Sequence, residues 1–202
     1  MLKNIRFNLA FSSDLSRAKA TCQSILDANE SGPDIQETDL IREKHLGQAE
    51  VMHYVQFTFW TMVLRRLRNR NKTMPQKYIP DGQDKDDFDG ETKQQIYQRA
   101  RFFIQDVLCQ KGNFIQGNIT QVLMVSHGEF LTHFFYVLSH DFPCSFTMNE
   151  KQELSKRPRN TSWCQVEIIC DLTTFEIQNV LCQNTWNHDH LNALKSHICH
   201  IV

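Results

Sequence analysis

Val122-Leu123-Met124-Val125-Ser126-His127-Gly128 constrains the fold more than any other stretch of this 202-residue chain. A short apolar run ends on a histidine and a glycine, and Phe130, Leu131, Phe134, Phe135 and Leu138 then recur at helical spacing. A strand that passes directly into a helix is the building unit of α/β proteins. Its near-continuous apolar character predicts cover on both faces, hence a central place in the sheet. The turn also aims backbone N–H groups and the positive end of a helix at one spot, which suits an anion such as phosphate. A histidine fixed there can hydrogen-bond to a phosphoryl group or attack it. His127-Gly128 is the chain's only His-Gly pair, and the tripeptide Arg-His-Gly does not occur.

The rest of the chain extends the same pattern. Ile5, Phe7, Leu9 and Phe11 alternate with polar or small residues, the period of a half-buried strand. Ser12-Ser13-Asp14 offers N-cap oxygens to a helix whose face is Leu15, Ala18, Cys22, Ile25 and Leu26, ended near Gly32-Pro33. Asp39 to Glu50 is charged and irregular, residues 52–70 have a helical pattern, and Met74 to Gly90 has the composition of a polar loop. Ile96, Ala100, Phe103, Ile104, Val107 and Leu108 predict an amphipathic helix stopped at Lys111-Gly112-Asn113. After a loop-rich stretch from Asp141 to Arg159, Cys164–Cys170 and Phe175–Leu181 predict a hairpin turned at Asp171. The expected architecture is a single α/β domain over 1–202, a three-layer sandwich of a mixed, mostly parallel sheet with helices on both faces.

Composition excludes several function classes. Hydrophobic residues make up 41% and charged residues 22%, as in a globular domain, and a net charge of −1 argues against a general nucleic-acid or membrane-surface binder. Seven cysteines without a CxxC pair predict reduced thiols and a cytoplasmic setting. The start has no long apolar run of a signal peptide, and no segment is long enough to span a bilayer as a helix. The basic run Arg65 to Lys72 is followed by the acidic run from Asp81, which favours a solvated or mutually paired face. His188, His190, His197, Cys199 and His200 invite a zinc reading, but no cysteine pair completes a site, so no metal is expected.

Three residues stand out for chemistry. Arg17 lies one turn into the helix after Ser12-Ser13-Asp14, where a guanidinium can clamp a phosphate; on the residue alone a solvated arginine on an exposed face is the favoured reading. Glu43 lies between Arg42 and Lys44 in a stretch without period, as functional and ordinary loops both do. His127 is the strongest, because strand end, histidine, glycine and helix coincide. Asn160-Thr161-Ser162, just before a strand, could bind an anion or simply open the strand.

Phe11-Ser12-Ser13-Asp14-Leu15-Ser16-Arg17-Ala18, Arg42-Glu43-Lys44-His45-Leu46-Gly47, Gly90-Glu91-Thr92, Val125-Ser126-His127-Gly128 and Asn160-Thr161-Ser162 occur in this order. In that order they resemble the histidine phosphatases, and most of all the TIGAR-type fructose-2,6-bisphosphatases, also in the tail Asp189-His190-Leu191-Asn192-Ala193-Leu194. The likeness runs from about residue 2 to residue 194 and is poor over 51–89, which is expected to be a variable lid or insertion. It implies a phosphoglycerate mutase-like fold, a phosphorylated sugar as substrate, a phosphohistidine mechanism and no cofactor. By resemblance Arg17 binds phosphate, His127 holds the transferring phosphoryl group and Glu43 protonates the leaving oxygen. Gly128, Asn160 and Thr161 border the pocket in the same reading. The family's nucleophile belongs to an Arg-His-Gly after its first strand, so the resemblance implies an N-terminally incomplete fold and a poor catalyst. Leu46 and Val51 depart from the family's usual aromatic and glycine.

Overall fold

The computed structural model describes residues 2–29, 32–47, 89–110, 113, 119–171 and 173–187. The stretch 52–70 expected as a helix, the loop expected up to residue 88, the basic and acidic runs within them, the expected Lys111-Gly112 stop and the histidine-rich tail lie outside the described residues. The chain divides into two compact units, Met1–Glu43 with Tyr97–Val202, and Lys44–Ile96.

In the first unit β1 (Leu9–Ser13) leads into α1 (Ser16–Asn29), β2 (Ile35–Thr38) and a 3-10 turn, Asp39–Ile41. Helix α2 (Lys93–Phe102) enters from the second unit and continues as a π-helical stretch, Phe103–Leu108. β3 (Val122–Val125), α3 (Gly128–His140), α4 (Met148–Leu154), β4 (Trp163–Cys170) and β5 (Ile177–Asn187) complete it. Strands β2, β1 and β3 form a parallel sheet in that order, with Ser13 beside Thr38 and Ser12 beside Val125. β4 and β5 form the expected antiparallel hairpin, with Asp171 Oδ1 accepting from the Thr173 and Thr174 N–H groups at its turn.

Helix packing follows the pleat of β1. Ala10 and Leu123 join Phe7, Cys22 and Leu26 in one core cluster beneath α1. Phe11 points the other way and meets Phe103 edge-on, 5.5 Å between centroids. Alternate side chains of one strand thus meet helices on opposite faces, the layered α/β arrangement anticipated from the sequence. No described helix is long and apolar enough to cross a membrane.

Four local expectations are corrected. The first strand runs over 9–13 rather than 5–11: Ile5 and Phe7 pack on the core without pairing, whereas Ser12 and Ser13 pair and are fully buried. Apolar alternation reports burial, and these serines tolerate it because their hydroxyls find partners, Ser12 Oγ donating to the Ser13 carbonyl at 2.9 Å. β2 lies just before the stretch read as irregular, which itself opens with the 3-10 turn; at four half-exposed residues it is too short and too polar to announce itself. Among the described residues β1 is central and β3 is an edge, with Val122 38% exposed. The stretch 141–159 contains α4, opened by a reciprocal capping box between Thr147 and Glu150.

In the second unit the described residues are 44–47 and 89–96. The Glu91 N–H donates to the His45 carbonyl at 2.7 Å, and Gly47, with φ of 59°, donates its N–H to His45 Nδ1. Thr92 and Gln95 cap the start of α2 reciprocally, at 2.8 and 3.2 Å.

Candidate functional site

Parallel strands present their C-terminal ends on one side of a sheet, and ligands of open α/β folds bind in the crevice beyond those ends. Here β1 ends in Ser13, and β3 runs out through Ser126 and His127 into α3. Because Ser12 lies beside Val125, the next residues of both strands emerge side by side. His127 Nε2 lies 2.9 Å from Ser13 Oγ, with both residues buried. Ser13 Oγ also accepts the Leu15 N–H at 3.3 Å. A hydroxyl oxygen has two lone pairs and one proton, so Ser13 can bridge the helix start and the imidazole in either tautomer.

Charges surround this ring. Burial above all, then the Arg17 guanidinium, holds the His127 pKa below its ordinary value, with a smaller push from Arg99 in the same direction. Glu43 and Asp14 oppose the shift and do not cancel it. The imidazole is therefore neutral at neutral pH and lies within the fields of two cations and two anions.

Three arginines hold the carboxylates and the segment that carries them. Arg42 forks onto Asp14, its Nε donating to Oδ1 at 2.8 Å and its Nη2 pairing with Oδ2, and this bond lowers the Asp14 pKa. Arg99 Nη1 donates to the Leu40 and Arg42 carbonyls at 2.7 and 2.9 Å, and its guanidinium lies 5.1 Å from the Phe130 ring centroid. Ser126 Oγ adds a bond to the Ile41 carbonyl at 2.6 Å. Residues 39–43 are thereby fixed against the start of α3. Glu43 Oε1 accepts the Glu129 N–H at 3.2 Å, at the positive end of that helix. Glu43 Oε2 stands 4.0 Å from Arg157 Nη2. Arg157 also covers Gly128: a Cβ added there would come within 3.1 Å of Arg157 Nε.

Of the residues singled out in the sequence, Arg17, Glu43, His127 and Gly128 come into one neighbourhood. Asn160 and Thr161 stand on the exposed turn before β4, Thr161 with φ of 63°. The same connector reaches the site through Arg157. Sequence reasoning missed Ser13 as the histidine's partner, and Asp14, Arg42, Arg99 and Arg157 as members of the site. Ser13 and Asp14 carried a signal that fits helix capping, while the arginines gave none, because their contacts span 28 to 114 residues of sequence, from Arg42–Asp14 to Arg157–Glu43. No group of three or more metal-ligating side chains occurs among the described residues. The arrangement can hold an oxyanion with a guanidinium and helix N–H groups, and can exchange a proton with it through imidazole or carboxylate.

The model of the histidine phosphatase superfamily (branch 1) matches residues 1–177, and the chain belongs to that superfamily. No curated protein matches the chain. Among solved structures it is similar to a native mycobacterial glucosyl-3-phosphoglycerate phosphatase, with a TM-score of 0.61, 19% identity, and coverage of 92% of this chain and 79% of that one. The same phosphatase in complex with inorganic phosphate matches with a TM-score of 0.58 and 19% identity, over 90% of this chain and 77% of that one. A structure described as mycobacterial hydrolase 1 matches with a TM-score of 0.60 and 19% identity, over 91% and 78%. These likenesses establish the fold, which is phosphoglycerate mutase-like.

Proposed function

We propose that this site takes the phosphate ester of a sugar, and that the ester is fructose-2,6-bisphosphate, as in the TIGAR-type enzymes the sequence resembles. Lowering that compound would restrain glycolysis. The observation that carries the reading is the buried His127–Ser13 contact at the ends of two adjacent parallel strands, with the charges of Arg17 and Glu43 acting on the same ring.

In this reading Arg17 and the N–H groups of α3 bind the equatorial phosphoryl oxygens, and His127 stabilises the transferring group. Glu43 stands near the helix start to protonate the departing alkoxide, and Asn160 and Thr161 border the ester. The cationic groups supply the charge stabilisation that a metal supplies elsewhere. The resemblance assigns the nucleophile to an Arg-His-Gly histidine and the stabilising role to His127, whose Nε2 is hydrogen-bonded to Ser13. We therefore assign His127 to stabilisation and expect the 202-residue chain to bind the ester without efficient turnover. The second reading, a phosphate-binding or interaction protein without catalysis, rests on the same assignment of the nucleophile to a tripeptide that does not occur in this sequence.

The test is to incubate the purified chain with fructose-2,6-bisphosphate and, in parallel, with glucosyl-3-phosphoglycerate, measuring ester binding, phosphate release and acid-labile phosphohistidine. Preferential binding of the bisphosphate with turnover near background is expected. Turnover at ordinary enzyme rates through phospho-His127 would make His127 the nucleophile, and preference for the other ester would displace the substrate assignment.

A further inference from the structure

Away from the phosphate site, two thiols from distant parts of the chain meet. Cys109 closes the π-helical end of the α2 helix, its N–H bonded to the Ile104 carbonyl at 3.1 Å, and is buried. Cys170 is the last residue of β4, paired with Ile177 across the hairpin, and is partly exposed. The residues are 61 apart in sequence, yet their Sγ atoms are 3.7 Å apart and hydrogen-bonded. Both cysteines are free.

We propose that Cys109 and Cys170 are an oxidation-sensitive dithiol, a modification site that closes to an intramolecular disulfide when hydrogen peroxide is the oxidant. Cys170, the partner that solvent reaches, reacts first. Its thiolate sulfur attacks one peroxide oxygen, the O–O bond breaks, and the departing hydroxide takes up a proton to leave as water. The Cys109 sulfur then attacks the sulfenic sulfur, forming the S–S bond and expelling the hydroxyl, which leaves as a second water with the Cys109 proton. Two thiols and one peroxide thus give one disulfide and two waters, the sulfur pair losing the two electrons the peroxide gains.

Two further features favour this pair. Hydrogen bonding with Cys109 holds the Cys170 thiol below its ordinary pKa, raising its thiolate fraction, while the same contact and burial push Cys109 up. Cys164 also feels Cys182 across the hairpin, but burial raises both and leaves neither as the attacking thiolate. The bond would tie the helix that carries Arg99 to the hairpin.

The proposal is independent of what the phosphate site binds. The folded chain is treated with hydrogen peroxide, its remaining thiols are alkylated, and unreduced digests are read by mass spectrometry. Expected are a Cys109–Cys170 cross-linked peptide and the loss of two of the seven thiols, both reversed by dithiothreitol. Cys170→Ser, at the partly exposed position, should keep the fold and abolish the cross-link; Cys109→Ser should abolish it as well. Full alkylation of both thiols after peroxide would overturn the proposal. A cross-link at Cys164–Cys182, one between chains, or Cys170 recovered only as sulfinic or sulfonic acid would do the same.

Discussion

Burial and the Arg17 guanidinium both disfavour the protonated form of His127, and the carboxylates of Glu43 and Asp14 recover only part of that cost. An imidazole whose folded pKa lies below its unfolded value of 6.5 binds fewer protons folded than unfolded across the interval between the two. Its contribution to stability is full above the upper value and is lost as pH falls below 6.5 towards the folded pKa. Urea unfolding midpoints should therefore drop between about pH 7.5 and about pH 5.5, and His127→Gln should flatten part of that drop. An identical pH dependence in the variant would remove the account of the ring's environment. This residue was legible in the sequence because strand, histidine, glycine and helix are contiguous. Its partner was not: Ser13 lies 114 residues away, and a serine before a helix is first of all a cap.

Elements of different kinds were legible to different degrees. Helices α1 and α2 and the β4–β5 hairpin declare themselves through long apolar periods that coincide with their buried faces. β2 does not, since Ile35-Gln36-Glu37-Thr38 is held by its ladder to β1 and only half-buried. α4 was legible in principle, because Thr147 and Glu150 spell a capping box; the short helix they open has too little period to be noticed. The segment 39–43 has no period at all, and its conformation rests on Arg99 donating to the Leu40 and Arg42 carbonyls. Arg99→Met keeps the stem and removes the donors, leaving two carbonyls to find new partners. A loss of about 1–3 kcal/mol in unfolding free energy is expected, together with weaker anion binding as the site loses a cation that acts on His127. Unchanged stability would mean that the segment is fixed by other contacts.

At the scale of the molecule, a chain of net charge −1 assembles a small group of opposed charges where two parallel strands end. Sheet order makes this possible: β1 stands between β2 and β3, so Ser13, the turn after β2 and the start of α3 all reach the same end of the sheet. Family motifs in the sequence reported three members of the group, Arg17, Glu43 and His127. The arginines that steady them, above all Arg157 over Gly128, follow only from how the chain is wound. The central claim is that this group is a phosphate site, and calorimetric titration with inorganic phosphate tests it most directly. The titration compares the folded chain with Arg17→Ala, His127→Ala and, as a control on an exposed ion pair of α1, Lys19→Ala. Charge-assisted bonds of about 1.5–3 kcal/mol predict saturable binding that weakens roughly 10- to 100-fold in each of the first two variants and is unchanged in the control. Phosphate that fails to bind the folded chain, or binds all four proteins alike, would contradict it.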